Sequence, residues 1–193
     1  MLSSGVNPIF APNASKTSAA PLFEDTLLFP CFATFAPAAA MTNYIVLGVY
    51  EKELVRPMAD VMKNLGVKRA LIVYGDDGLD EISISSTTSV CEIDGDEIKG
   101  YTINPEELGL TLAKKEDIVG GTADENAIIT KDILTGKEQG AKRDIVLLNA
   151  GAALYTIGKA ETIKDGVKLA AEMIDSGKAN EKLEQFIAYT NVK

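Results

Sequence analysis

The sequence predicts an α/β fold, a parallel-stranded sheet flanked by helices, over residues 43–193. Three adjoining stretches carry that expectation. Residues 44–50 (YIVLGVY) are a short apolar, β-branched run, as in a buried strand. Residues 51–65 follow as a helix, with Leu54, Met58, Val61, Met62 and Leu65 at helical spacing and Gly66 placed to end it. Residues 69–74 (RALIVY) are a second buried run. Strand, helix and strand in close succession make a βαβ unit, so the two strands are expected to be parallel with a right-handed crossover.

The remaining elements follow in order. Residues 89–93 and 97–102 flank Asp94-Gly95-Asp96, and an Asp-Gly pair between strand-like runs signals a hairpin. Asn104 followed by Pro105 reads as a helix start. Gly120-Gly121 punctuates the chain, and Asp124 is expected to cap a helix running to Thr135, with Gly136 as terminator. Residues 144–158 (DIVLLNAGAALYTIG) are apolar on nearly all sides, which predicts a buried central helix. Thr162 and Asp165 resemble a capping box for a helix ending near residues 176–177, and a last amphipathic helix is expected over 179–189. Residues 1–42 are rich in Ala, Pro, Ser, Thr and Phe and show no clear period, so they are expected to be irregular or atypically packed.

Composition narrows the function. The net charge of −9 argues against a nucleic-acid binder, which needs clustered Lys and Arg to replace counterions on phosphate. The absence of histidine removes Ser-His-Asp triads, histidine general bases and histidine-ligated zinc. Any metal site must then be built of oxygen ligands, which favours Mg²⁺ or a similar hard cation. Cys31 and Cys91 have no CxxC spacing and read as two reduced thiols in a cytoplasmic protein. No apolar run is long enough for a transmembrane helix. The apolar stretch 27–41 resembles a signal-peptide core, but its acidic flank Glu24-Asp25 and its prolines Pro30 and Pro37 argue against export.

The chemistry is expected in residues 75–81 (GDDGLDE), beyond the second strand. In open α/β sheets ligands bind outside the carboxyl ends of the strands. Four carboxylates, Asp76, Asp77, Asp80 and Glu81, crowd there. Adjacent Asp80 and Glu81 repel each other unless they are solvated or bridged, and a hard divalent cation both relieves that repulsion and can carry a pyrophosphate. The plain alternative is a solvated acidic turn.

Residues 64–83 (NLGVKRALIVYGDDGLDEIS) resemble the signature of the anthranilate phosphoribosyltransferases around their DGLDE motif. Residues 143–150 (RDIVLLNA), with Ala152, Ala153, Leu154 and Tyr155, resemble that family's buried helix, and residues 175–179 its DSGKA turn. Gly120-Gly121 with Glu125, Asn126 and Ala127 is similar to a further family segment. The resemblance implies a nucleoside-phosphorylase-like α/β domain, usually in a homodimer. It also implies transfer of phosphoribosyl from phosphoribosyl pyrophosphate to anthranilate in tryptophan biosynthesis. Mg²⁺ on the leaving pyrophosphate would be held by Asp80 and Glu81. Asn126, Asn149 and Asp175 also fit the resemblance and read as structural, and Lys178 as solvated. The sequence contains no GTGGD-like loop and no arginine before Arg56, with Phe23 standing where the family's carboxylate-binding arginine would fall. A truncated or altered family member is therefore expected, weak or inactive in turnover and self-associating through a new interface. The alternative is a non-catalytic α/β domain of that family.

Overall fold

The computed structural model describes residues 42–191. The segment expected to be irregular lies outside them except for Thr42, and Cys31, Phe23 and the export-like stretch lie outside them entirely. The chain opens with β1 (Tyr44–Gly48), a 3-10 turn at Lys52–Leu54, α1 (Val55–Asn64) and β2 (Arg69–Gly75). Pro57 lies in the first turn of α1, where its missing N–H removes no helical hydrogen bond. β1 and β2 pair in parallel, from Tyr44 opposite Arg69 to Gly48 opposite Val73, as the βαβ pattern requires.

The rest of the sheet is antiparallel. β3 (Thr88–Asp94) and β4 (Glu97–Ile103) form the expected hairpin, with Gly95 at φ 58° in its turn. β3 also pairs antiparallel with β2, Gly75 standing opposite Thr88. The sheet has the order β1-β2-β3-β4, so the parallel-stranded sheet expected from the sequence is corrected to a mixed one. The reason is the connection: residues 76–87 contain no crossover helix, and the chain turns back at the carboxyl end of β2.

The sheet divides the core in two, and β2 serves both sides by its two-residue period. Ala70 and Ile72 pack with Val55, Ala59, Met62, Cys91 and Ile93 on the α1 side. Leu71 and Val73 pack with Val90, Ile103, Leu147, Leu148 and Val167 on the other. The buried face of α1 is rotated from the expected one. Val55, Ala59 and Met62 carry it, whereas Val61 and Leu65 are 49% and 48% exposed.

Four helices complete the fold: α2 (Ala123–Leu134), α3 (Ala141–Thr156), α4 (Ile163–Asp175) and α5 (Lys178–Thr190). α3 is the expected buried helix, with Leu147 through Ala153 all buried. Thr122, rather than Asp124, caps α2: its hydroxyl accepts from the Glu125 N–H while Glu125 accepts from the Thr122 N–H. Thr162 caps α4 as expected, accepting from the Asp165 N–H at 3.1 Å. Asn104 caps only a 3-10 turn, Pro105–Leu108. No helix among the described residues is long and apolar enough to cross a membrane.

α3 and α4 meet at a pair of glycines. A Cβ on Gly166 would stand 2.1 Å from the Gly151 carbonyl oxygen, and one on Gly151 would stand 2.5 Å from the Val167 nitrogen. Both obstacles are backbone, so neither can swing aside. Alanine would gain about 1 kcal/mol of helix propensity, against roughly 1–3 kcal/mol or more for overpacking. Gly166→Ala is therefore expected to lower stability by about 1–2 kcal/mol net. Chemical denaturation of the variant beside the parent chain measures it, and an unchanged midpoint would contradict the close approach.

Candidate functional site

β1 and β2 are parallel, so their carboxyl ends lie side by side at one edge of the sheet. Residues 75–81 leave β2 at that edge. The loop folds back on itself through the Gly75 N–H, which donates to Leu79 O at 2.8 Å, and the Gly78 N–H, which donates to Gly75 O at 2.7 Å. Gly78, at φ 92°, makes the reversal in the left-handed region that favours glycine. Gly75 is needed for closeness: a Cβ there would lie 2.8 Å from the Asp77 carboxylate. Gly48, the last residue of β1, is needed still more. Its Cβ would stand 1.5 Å from the Asp80 carbonyl oxygen, so the Asp80 backbone rests directly on β1.

Two of the four carboxylates, Asp76 and Asp77, are tied into the loop by hydrogen bonds. Asp76 accepts from Lys52 Nζ at 2.8 Å, Thr87 Oγ1 at 2.7 Å and Ser89 Oγ at 2.9 Å. Asp77 accepts from Ser83 Oγ at 2.9 Å, from Ser85 Oγ and from the Leu79 N–H at 3.4 Å, and Lys115 Nζ donates to its carbonyl. Partial burial pushes the Asp77 carboxyl up, but Ser85, Ser83, the Leu79 amide and the Lys115 charge together outweigh it and hold it below the ordinary carboxylate range. Asp76 behaves alike: burial raises it, and Lys52, Thr87 and Ser89 bring it below the usual value. These two aspartates hold the loop together. Asp80 is exposed and Glu81 half-buried beside it.

Past Glu81 the chain dives into the core. Ile82, Ser83 and Ile84 are fully buried. Asn149 of α3 meets Ile82 there: its Oδ1 accepts from the Ile82 N–H at 3.1 Å and its Nδ2 donates to the Ile82 carbonyl at 2.9 Å. Ser83 N–H donates to Thr88 Oγ1 at 2.9 Å, tying the loop to the start of β3.

The residues named with Asp80 and Glu81 in the sequence stand elsewhere. Asn126 accepts from the Gly121 N–H at 2.8 Å and donates back to its carbonyl at 3.1 Å, securing the turn before α2. Asp175 pairs with Arg143 at 2.8 Å across α3 and α4. Lys178 is exposed at the start of α5. Lys52, Lys115, Ser83, Ser85 and Gly48 did not stand out in the sequence. Only Gly48 left a signal, a glycine inside a strand run, which marks close backbone approach.

At the opposite edge of the sheet lies a second polar cluster. Buried Glu92 accepts from Tyr155 Oη at 2.7 Å and pairs with Arg69 at 3.4 Å, and the Arg69 guanidinium sits 4.2 Å over the Tyr155 ring. An open pocket of about 300 Å³ lies over it, lined in part by Tyr101, Asn104, Thr162 and Lys164. It fastens the end of α3 to β2 and β3, although the buried Arg69 Nε makes no hydrogen bond.

Asp80 and Glu81 offer oxygen ligands only, and no group of three His, Cys, Asp or Glu side chains able to hold a metal occurs among the described residues. Two adjacent carboxylates without a third do not make a closed zinc or calcium cage. They do fit Mg²⁺, which keeps several waters and takes the rest of its shell from phosphates. An acidic loop thus lies on the carboxyl edge of a parallel pair in an α/β domain, backed by a buried helix. The chain belongs to the glycosyl transferase family, whose α/β-domain model matches residues 34–180. Its relatives include the anthranilate phosphoribosyltransferase of Methanobrevibacter smithii, 58% identical over 155 residues, covering 80% of this chain and 45% of the relative. The anthranilate phosphoribosyltransferase structure from Thermus thermophilus is 39% identical with a TM-score of 0.72, covering 78% of this chain and 44% of that one. The Saccharomyces cerevisiae enzyme in complex with PRPP and Mg is 32% identical with a TM-score of 0.70, covering 76% and 42%. The chain thus spans about half the length of these relatives.

The depressed carboxyls give a test of the loop. Each contributes stability that is fully present above its unfolded pKa of about 3.9, and that contribution is lost as pH falls through the lower folded value. Asp77→Asn is expected to be less stable than the parent near pH 7 and to lose less between about pH 4 and about pH 2. Denaturant midpoints across that range measure it. Parallel pH profiles for the two chains would show that the Ser83–Ser85–Asp77 cluster adds nothing.

Proposed function

We propose that this chain supplies the Mg²⁺-binding part of a phosphoribosyl pyrophosphate site, serving transfer of the phosphoribosyl group to anthranilate in tryptophan biosynthesis. The observation that carries this is the placement of two adjacent carboxylates, Asp80 and Glu81, at the carboxyl edge of the β1–β2 pair, on a loop that Asp76 and Asp77 tie together. The relatives support it: one yeast structure holds PRPP and Mg and another holds 4-fluoroanthranilate.

In this reading Asp80 and Glu81 dock a hydrated Mg²⁺ through their carboxylate oxygens. When bound, the ion neutralises charge on the departing pyrophosphate. Gly48 and Gly75 keep the loop low enough for both carboxylates to face the ligand from one edge. The sequence presents no arginine before Arg56 and no glycine-rich GTGGD-like loop. The bidentate clamp for the anthranilate carboxylate and the backbone cradle for pyrophosphate are therefore missing from it. Losing one oriented donor typically costs about a hundredfold in rate, so turnover by this chain alone is expected near background. The alternative reading is a folded, non-catalytic α/β domain of that family.

Calorimetric titration with Mg²⁺ and pyrophosphate is expected to show weak, millimolar-range binding that disappears in the Asp80→Asn/Glu81→Gln double variant. Equal binding by parent and double variant would remove the metal assignment. An assay with anthranilate, phosphoribosyl pyrophosphate and Mg²⁺ is expected to give near-background turnover. Robust turnover would show that other residues of this chain supply the missing donors.

A further inference from the structure

We infer that Asn149 is a positioning residue for the metal pair: its carboxamide grips both ends of the Ile82 residue and so fixes where Asp80 and Glu81 stand. The inference rests on the reading of Asp80 and Glu81 as Mg²⁺ ligands, and it adds a residue from the far side of the core to that site.

The geometry is specific to an amide. The Ile82 N–H and carbonyl require an acceptor and a donor side by side, and the Asn149 carboxamide supplies them at 3.1 and 2.9 Å. A second Nδ2 proton goes to the Ile145 carbonyl, one turn back in α3, at 3.0 Å. All three bonds agree on which way the carboxamide faces, because an inverted group would set its NH₂ against the Ile82 N–H and its oxygen against the carbonyls of Ile82 and Ile145. Asn149 is 8% exposed and Ile82 is fully buried, so water cannot replace either partner. Ile82 directly follows Glu81, and successive Cα atoms are only about 3.8 Å apart. A displacement of Ile82 is therefore passed almost undiminished to Glu81. From the other side the Asp80 carbonyl rests on Gly48. The two ligands are thus bracketed between a strand end and a helix side chain sixty-odd positions away in sequence, as the separation of 67 between Ile82 and Asn149 records.

Asn126 provides a control. Its carboxamide makes the same kind of paired contact, with Gly121 at 2.8 and 3.1 Å, at an exposed turn outside the acidic loop. A merely structural clamp at either position affects stability, to the degree that it is buried, and leaves ion binding by the folded chain untouched.

The test is a Mn²⁺ titration, read by electron paramagnetic resonance, of the full chain and four variants whose folding is checked by circular dichroism. Asn149→Leu keeps the bulk and removes both bonds. Asn149→Asp keeps the acceptor for the Ile82 N–H and carries the test alone where the leucine variant does not fold. Asn126→Leu is the control, and the Asp80→Asn/Glu81→Gln chain marks the baseline. The expected result is a loss of Mn²⁺ affinity of about ten- to a hundredfold for Asn149→Leu, the range typical of residues that orient metal ligands, with a smaller loss for Asn149→Asp and none for Asn126→Leu. Parent-like affinity in a folded Asn149 variant overturns the positioning role and leaves the metal reading standing. Equal losses at Asn149 and Asn126 also overturn it, as a general effect of destabilisation. A parent chain that binds no more Mn²⁺ than the double variant overturns the metal reading, and the inference with it.

Discussion

The two hydrogen bonds between the Asn149 carboxamide and the backbone of Ile82 hold the inner end of the acidic loop in place. Their weight follows from burial. An unpaired polar group in a dry interior costs about 1–3 kcal/mol, and removing the carboxamide would strand two such groups. By contrast the Lys52–Asp76 pair at the loop's outer side has a lysine 59% exposed, and exposed ion pairs are typically worth about 0–1 kcal/mol. The loop is thus fixed from inside, and its surface charges tune it without anchoring it.

The mixed sheet explains why this anchor matters. A single parallel pair, β1 and β2, brings two strand ends to one edge, and the chain then turns back into β3 instead of crossing over. The turn must be compact, and glycines at the two strand ends allow it: Gly48 under Asp80 and Gly75 against Asp77. α3 acts as the strut behind it. Its middle grips Ile82, while its last turn is fastened at the other edge, where Arg69 donates to the Tyr155 carbonyl at 3.1 Å and Tyr155 Oη to Glu92 at 2.7 Å. The near-contact of Gly151 with Gly166 presses α4 against α3 and completes the support.

Much of this was legible from local pattern. The βαβ unit, the Asp-Gly hairpin, the Thr162 cap and the apolar α3 are all signals carried by neighbouring residues, and the structure has each of them. The antiparallel pairing of β3 on β2 was not, because a 76–87 connection without a crossover helix reverses the chain without leaving a periodic mark. The face of α1 was misjudged because Val55 and Ala59 bury as well as any larger residue, while Val61 and Leu65 stay at the surface. Asp124 looked like a cap but is the second residue of the helix; the Thr122–Glu125 pair satisfies the helix start instead. The candidate ligands Asp80 and Glu81 were visible as a charge cluster. The partners of Asp76 and Asp77 were not, since Lys52, Lys115 and Ser85 reach the loop from positions that no spacing rule connects. Asn149 read as structural, and nothing in the sequence pointed to Ile82 as its partner.

The central claim is that residues 75–82 form a rigid platform secured at Ile82. Native-state amide exchange of the Ile82 N–H, followed by NMR, tests it most directly. The account predicts that this amide exchanges only through global unfolding, with the same protection as the buried amides of β2 such as Ile72. Exchange through local opening at a rate typical of a solvent-exposed loop, while β2 stays protected, would contradict it.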